Sequence, residues 1–365
     1  MTTPVPKHLY IHWPFCNTKC HFCDFVAFEQ HANYQEAYHK VLCKEIATFA
    51  QQFGPDADRS IHTIFLGGGT PSLYPLPWIT ELFDVLKQHF SFDQIKEISI
   101  ETNPADIDEE KLETWRDLGI TRISVGVQSL DDDVLLKLNR RQRAQDVLRT
   151  MRIAPKYFDN ISADFILGLP EVSDTMWFDT IQQAVNWPIT HMSMYFLTVH
   201  EKTPLYFKVE RGEVSLAHDD ALVSMYEKTV HYLSSHGFEQ YEISNFSRPG
   251  HASTHNQAYW DRKAYKGFGV GASSFDGNTR STNDNNLPRY LEHGSSSTYA
   301  QFATTEKLTP EQAHLELLML SLRQKKGLDL QRMVYSLSAD KIKIIKKNLE
   351  QLIQAGLLEE YEGAI

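Results

Sequence analysis

Three cysteines, Cys16, Cys20 and Cys23, stand close together near the N-terminus in the pattern C-x3-C-x2-C. A cubane iron–sulfur cluster normally takes four cysteine thiolates. A set of three leaves one iron open, and an open iron binds a small molecule and does redox chemistry on it. Structural zinc asks for four closed ligands, usually from two C-x2-C-like pairs, and no second pair exists here. His12 and His21 leave zinc as the alternative. The fourth cysteine, Cys43, falls between Val41, Leu42 and Ile46 on a stretch that reads as helix, and is expected to be a small buried hydrophobe. Four cysteines in 365 residues do not make a disulfide framework.

The elements that must position these thiolates alternate strand and helix. His8 to Trp13 reads as a strand leading into the cysteine loop, followed by a helix over 32–52. Ile61 to Leu66 is a short apolar strand ending in Gly67-Gly68-Gly69, followed by helix 76–90. Strands Glu97 to Ile100, Arg122 to Val127, Ile161 to Leu167 and His191 to Leu197 continue the series, with helices between them. Six such units in a row predict parallel strands with right-handed crossovers, closed into a partial barrel. Chemistry in such barrels sits at the C-terminal ends of the strands. Cys16, Gly67–Gly69, Glu101, Gln128, Asp164 and Thr198 all fall at or just after strand ends, so one rim carries a shared site.

Beyond residue 200 the rhythm changes. Residues 244–284 are rich in Ser, Asn, Gly and aromatics and read as loops over that rim, after a plausible strand from Phe238 to Ile243. A last segment opens at Thr309-Pro310, a helix cap followed by proline at the first helical position. Helices over 310–323, 328–337 and 340–354 and a strand from Leu357 to Tyr361 give it a winged-helix outline. The expected division is 1–235 for the barrel, 236–300 for a loop-rich extension and 301–365 for a small, mainly helical domain.

Composition limits the functional classes. Net charge is −11, from 36 basic and 47 acidic residues, which argues against a general nucleic-acid binder. From Glu306 onward nine Lys/Arg balance nine Asp/Glu, so the winged-helix outline implies packing or protein contact, not DNA. The N-terminus has no apolar signal region and no apolar run approaches membrane-spanning length. The protein is expected to be cytoplasmic.

A three-cysteine C-x3-C-x2-C motif after a strand, with Phe22 before the third cysteine, resembles the radical SAM superfamily. Gly67-Gly-Gly-Thr-Pro71 after the second strand resembles that superfamily's glycine motif for S-adenosylmethionine (SAM). The match extends to the subgroup related to oxygen-independent coproporphyrinogen oxidase through five segments: Tyr10-Ile-His-Trp-Pro-Phe-Cys16, Glu101-Thr-Asn-Pro104, Ser124-Val-Gly-Val-Gln128, Leu138-Asn-Arg140 and Asp164-Phe-Ile-Leu-Gly-Leu-Pro170. The resemblance implies a partial (β/α)6 TIM-like radical SAM barrel and a [4Fe-4S] cluster on Cys16, Cys20 and Cys23. It implies SAM contacts from Tyr10, Gly68, Gly69, Thr70, Glu101, Gln128, Arg140 and Asp164. Arg140 offers a fork of donors for the SAM carboxylate; Asp164 and Gln128 suit ribose hydroxyls.

Two features divide the subgroup. Its oxidase branch resembles C-x3-C-x2-C-x-C, and here Phe25 stands where the fourth cysteine would be. His255-Asn-Gln-Ala-Tyr-Trp260 resembles the H-N-x-x-Y-W signature of the heme-chaperone branch. That branch implies heme as cargo, with His255 as the natural candidate iron ligand, and His251 as a competitor. It also implies heme-accepting respiratory proteins as partners, transient membrane contact and a homodimer. The rival implication is the oxidase: SAM cleaved by the reduced cluster and the propionates of coproporphyrinogen III oxidatively decarboxylated. Some positions depart from the family. Gln142 stands where a histidine is expected, Trp13 replaces an aliphatic residue, and the family pattern runs on past Ile365, so the C-terminal domain is expected to be short.

Overall fold

The computed structural model describes residues 4–294, 296, 303–329 and 339–359. Six strands form its centre: β1 (His8–Trp13), β2 (Thr63–Gly68), β3 (Glu97–Thr102), β4 (Arg122–Gln128), β5 (Asn160–Leu167) and β6 (His191–Phe196). They lie side by side in chain order and every neighbouring pair is parallel. The helices that return the chain are α1 (Gln35–Ala50), α2 (Leu76–His89), α3 (Glu109–Leu118), α4 (Asp132–Lys137), α5 (Ala144–Ile153) and α6 (Asp174–Ala184). After β6 come α7 (Pro204–Glu210) and α8 (Asp219–Ser235). The expected barrel of six strand–helix units is present, with boundaries shifted by one to three residues.

Alternation along each strand sorts the side chains. Leu9, Ile11, Ile64, Leu66, Ile98, Ile100, Ile123 and Val125 point outward and are buried in one continuous apolar core against the helices. On α2, Ile79, Leu82, Phe83 and Leu86 recur at helical spacing and fill that layer. The inward positions carry Tyr10, His12, Glu97, Ser99, Glu101, Arg122, Ser124, Ser162, Asp164, His191 and Ser193. The barrel is therefore lined with polar groups where a closed barrel is usually filled with branched apolar ones. Such an interior is stable only if ligands or a hydrogen-bond network satisfy it.

The strand expected from Phe238 to Ile243 is present, and the following segment, expected to be loops over the rim, is structured as well; together they widen the sheet at both edges. β7 (Glu239–Glu242) and β8 (Asn245–Ser247) pair antiparallel beyond β6. Helix α9 (Thr254–Trp260) follows. Then β9 (Tyr265–Phe268) joins β1 in parallel, and β10 (Ser273–Phe275), β11 (Thr279–Thr282) and β12 (Thr304–Lys307) continue outward antiparallel. Among the described residues the two outer strands do not pair with each other, so the barrel stays open. α10 (Leu287–His293) packs Tyr290 against Tyr38 of α1.

In the C-terminal segment, α11 (Pro310–Leu322) begins with the expected cap: Thr309 Oγ1 accepts from Gln312 N, and the Gln312 side chain accepts from Thr309 N. Glu316 of α11 pairs with Arg262 (2.7 Å) and Arg280, and both guanidiniums lie over Phe275. This cluster ties α11 to the sheet extension. The helix α12 (Ala339–Gln354) is also present. The helix expected over 328–337 lies mostly outside the described residues, as does the end of the expected strand from Leu357. Residues 357–359 are not in a strand. Among the described residues no helix is long and apolar enough to cross a membrane.

Candidate functional site

A cavity of about 440 Å³ opens at the C-terminal ends of the strands and runs into the barrel. Cys16, Cys20 and Cys23, Gly68, Gly69, Thr70, Glu101, Gln128, Arg140 and Asp164 all line it. Ten of the residues marked in the sequence thus meet in one space. Tyr10 lies in an adjoining cavity of about 390 Å³ that shares Gly68 and Glu101 with the first. A larger cavity, about 930 Å³, lies elsewhere, between the end of α1 and β10–β11, and holds none of the marked residues.

The cysteine loop is braced from both sides. Phe28 N donates to Pro14 O (2.7 Å), closing the loop at its base. His21 N donates to Leu138 O (3.0 Å) and Asn139 Nδ2 to Lys19 O (2.9 Å), so the Leu138-Asn139-Arg140 segment holds the far side. Arg140 then reaches the thiols: Nη1 lies 3.3 Å from Cys20 Sγ, while Nη2 donates to Gly126 O. Thr70 Oγ1 donates to Cys16 Sγ at 3.2 Å. Burial pushes the Cys16 thiol up to about 11, and raises that of Cys23. Deprotonated ligands in this loop therefore need a partner that favours the thiolate, which a bound metal supplies.

The glycines explain themselves by contact distance. A Cβ on Gly69 would come within 2.7 Å of the Pro14 carbonyl carbon and 3.0 Å of Cys16 Sγ. Gly68 has φ +119°, a conformation that favours glycine, and its N–H donates to Glu101 Oε2 (3.1 Å). Burial, with the Asp164 charge nearby, raises the Glu101 carboxyl from 4.5 to about 7. Both Asp164 oxygens accept from serine hydroxyls, Ser124 (2.8 Å) and Ser162 (3.0 Å). Gln128 sits at φ +60°, where the pairing of β4 with β5 shifts register. Such an irregularity at a strand end re-aims a side chain. Gln142 pins it: Nε2 contacts Gly126 O, Val127 O and Gln128 Oε1 at 3.2–3.3 Å. The glutamine in place of the expected histidine is thus a buried buttress of the site. Trp13, the other departure, stacks on Tyr74 at 3.8 Å behind the loop.

Of the two histidines that the zinc alternative calls on, His12 has both ring nitrogens engaged and His21 has one. His12 Nε2 is bonded to Val26 O and Nδ1 to Tyr10 Oη; His21 Nδ1 is bonded to Lys137 O. Among the described residues no group of three His, Cys, Asp or Glu is gathered as a single metal ion requires. The sulfur-only donor set, the space a Gly69 side chain would fill and the polar cavity behind it fit a cluster with a SAM-sized ligand beside it.

The ring of His255, the candidate heme ligand, is fully buried in the barrel floor. Nδ1 is bonded to Thr63 Oγ1 (2.7 Å) and Nε2 to Tyr259 Oη (2.8 Å). Burial lowers its pKa to about 3. In this structure both ring nitrogens are engaged in hydrogen bonds and the ring is buried. It holds α9 against β2. Glu97 does the same for the helix start, accepting from Ser253 Oγ, Thr254 N and His255 N. Of the H-N-x-x-Y-W residues, Asn256 lines the main cavity and Tyr259 the adjoining one. Arg122 and Ser193 also line the cavity and were not marked in the sequence; Asn256 was marked there only as part of the H-N-x-x-Y-W signature.

An open parallel barrel with three cysteines and a glycine turn at its C-terminal rim defines a radical SAM protein. Comparison agrees: the radical SAM superfamily model matches residues 10–184 and the HemN C-terminal domain model residues 308–365. The solved structure of coproporphyrinogen III oxidase (HemN) from Escherichia coli superposes with a TM-score of 0.83, covering 99% of this chain and 86% of that one, at 23% identity. Among curated proteins, the chain is similar to heme chaperone HemW of Bacillus subtilis, 33% identical over 98% of this chain and 94% of that protein. It is 32% identical to heme chaperone HemW of Synechocystis, over 93% of this chain and 84% of that protein. The chain belongs to the radical SAM superfamily and, within its HemN-like branch, to the HemW family.

Proposed function

We propose that this protein is a heme chaperone that carries a [4Fe-4S] cluster on Cys16, Cys20 and Cys23 and SAM beside it in the same cavity, and that it passes heme to respiratory heme proteins. The observation that carries this reading is similarity along nearly the whole chain to proteins described as heme chaperones. Phe25 supports it. The residue is 64% exposed on the cavity mouth, where the oxidase pattern has a further cysteine.

When bound, the cluster would supply an open iron, and SAM would supply amine and carboxylate donors able to ligate it. The chain's own residues do the rest. Thr70 and Arg140 donate toward the sulfurs of Cys16 and Cys20, and both favour the Cys16 thiolate against its burial. Glu101, Gln128 and Asp164 offer acceptors for the ammonium and hydroxyls of SAM. Tyr10 closes the side of the barrel. Heme meets a surface other than the His255 ring, because that ring is sealed in the floor. Respiratory acceptors, a homodimer, transient membrane contact and a cytoplasmic location belong to the same reading.

The oxidase is the second reading, favoured by the intact SAM cavity and the fold match. Anaerobic incubation of the reconstituted protein with reductant, SAM and coproporphyrinogen III separates the two. No decarboxylation, together with heme transfer to an apo-cytochrome, is the expected result. Loss of CO2 at a catalytic rate would overturn it.

A further inference from the structure

At the inner end of the cavity, on the barrel floor, sits Arg122. It is 1% exposed, yet it lines the cavity. Its Nε has no partner, and among the described residues no hydrogen bond or ion pair reaches its guanidinium. A buried, unpaired cation is costly and persists where something compensates it. Arginine also stays charged at any ordinary pH.

The Asp164 carboxylate shares the cavity, but none of the groups that face Arg122 makes a hydrogen bond or ion pair to its guanidinium among the described residues. His191 and His255 are both held neutral, their pKa values lowered by burial and by Arg122 itself. The Tyr241 phenol is held protonated by burial. Glu101, the acid whose titration Arg122 biases, takes up a proton near neutrality. The Glu97 carboxylate is committed to the start of α9. Asp164, which lines the same cavity, spends an oxygen on each of two serines.

A second group converges on the same end. Asn256 lines the cavity, and no hydrogen bond of its side-chain amide is found among the described residues. Its position is fixed because α9 is locked through Glu97, His255 and Ser253 Oγ, the last accepting from Asn256 N. A planar fork of donors and an amide donor lining one cavity match a carboxylate, which takes two parallel N–H bonds and keeps lone pairs for a third.

We infer that Arg122 and Asn256 form a carboxylate-binding subsite on the barrel floor, which anchors the acidic arm of a ligand whose body extends toward the cysteine loop. Neither residue is assigned to the cluster or to the SAM contacts above, and the inference does not depend on heme delivery. It gives the H-N-x-x-Y-W segment a role at the site through its second residue: His255 fixes the helix and Asn256 faces the ligand. The acid has two sources, the SAM carboxylate itself or a separate carboxylic acid.

The test uses the full chain and sodium propionate as probe. Thermal unfolding is followed as propionate replaces chloride at constant ionic strength, with and without saturating SAM. Saturable stabilisation by propionate is expected in the wild type. Arg122→Gln should weaken it at least about tenfold, as loss of a charge-assisted pair does, and Arg122→Lys less. Asn256→Ala, which removes only a cavity-facing amide, should weaken it a few fold and decides the matter if Arg122→Gln fails to fold. Propionate and SAM excluding one another would place the SAM carboxylate on Arg122; additive stabilisation would place a separate acid there. No saturable effect in the wild type, or equal affinity in Arg122→Gln and Asn256→Ala, would overturn the inference. Neither result bears on heme transfer, so the two readings fail separately.

Discussion

Glu101 should give this protein a pH-dependent stability that its fold alone would not. The carboxyl ordinarily titrates near 4.5 and is raised to about 7 by burial and by Asp164. Between those values the folded state takes up a proton that the unfolded chain lacks. Stability must then fall as pH rises through that window, since it decreases wherever the folded state binds more protons. A tenfold change in proton affinity corresponds to about 1.4 kcal/mol, so the full difference is about 3 kcal/mol before relaxation and water entry into the cavity reduce it. Glu101→Gln keeps the acceptor toward Gly68 N and removes the titration. Urea unfolding of the cluster-free protein, measured from pH 5 to pH 8.5, should show the variant gaining on the wild type as pH rises. The difference between them should flatten above pH 8. Parallel pH profiles for the two proteins would refute the assignment of a perturbed carboxyl to this position. SAM binding should respond to the same titration. A cationic ligand beside Glu101 favours its ionised form, so SAM should bind more tightly as pH rises through 7 in the wild type and without that trend in Glu101→Gln.

Alanine at Cys16, Cys20 or Cys23 should abolish iron and sulfide binding after anaerobic reconstitution, whereas Cys43→Ala, on a thiol buried in α1 beside His39, should retain both; loss of the cluster in the Cys43 variant would reassign the ligands. Gly69→Ala forces a methyl against Pro14 and Cys16 and should cost about 1–3 kcal/mol with reduced cluster loading. Gly54→Ala, where the methyl meets nothing within 4 Å, should be neutral or slightly stabilising in the same denaturation series. His255→Ala removes a buried ring with two hydrogen bonds and should destabilise by about 2–4 kcal/mol; a folded variant whose Soret titration is weakened would restore His255 as a heme ligand.

The barrel was legible in the sequence because each strand buries one face. Apolar residues at Leu9 and Ile11 and at Ile98 and Ile100 alternate with Tyr10 and Ser99, Ile64-Phe65-Leu66 is a short apolar run, and caps or glycines such as Asp108 and Gly119 bound the helices. Apart from the strand at Glu239–Glu242, the sheet extension was not legible. Segments such as Ser273–Phe275 and Thr279–Thr282 are three or four residues long and almost wholly polar. Their strand character comes from neighbours distant in the chain, which local pattern does not report.

The site divides along the same line. Residues at strand ends were found because a rim is a position that topology predicts. Arg122 was missed because it sits at the start of β4, the end of the strand away from the rim, and only its length carries the guanidinium into the cavity. His255 and Asn256 show why adjacency misleads: consecutive residues of a helix point about a quarter-turn or more apart. One can therefore be sealed between β2 and Tyr259 while the next faces the ligand. Which of them turns inward is decided by Glu97 and Thr63, more than 150 residues away in sequence. A motif read as a string assigns chemistry to its most reactive residue. The fold assigns it to the residue left without a partner.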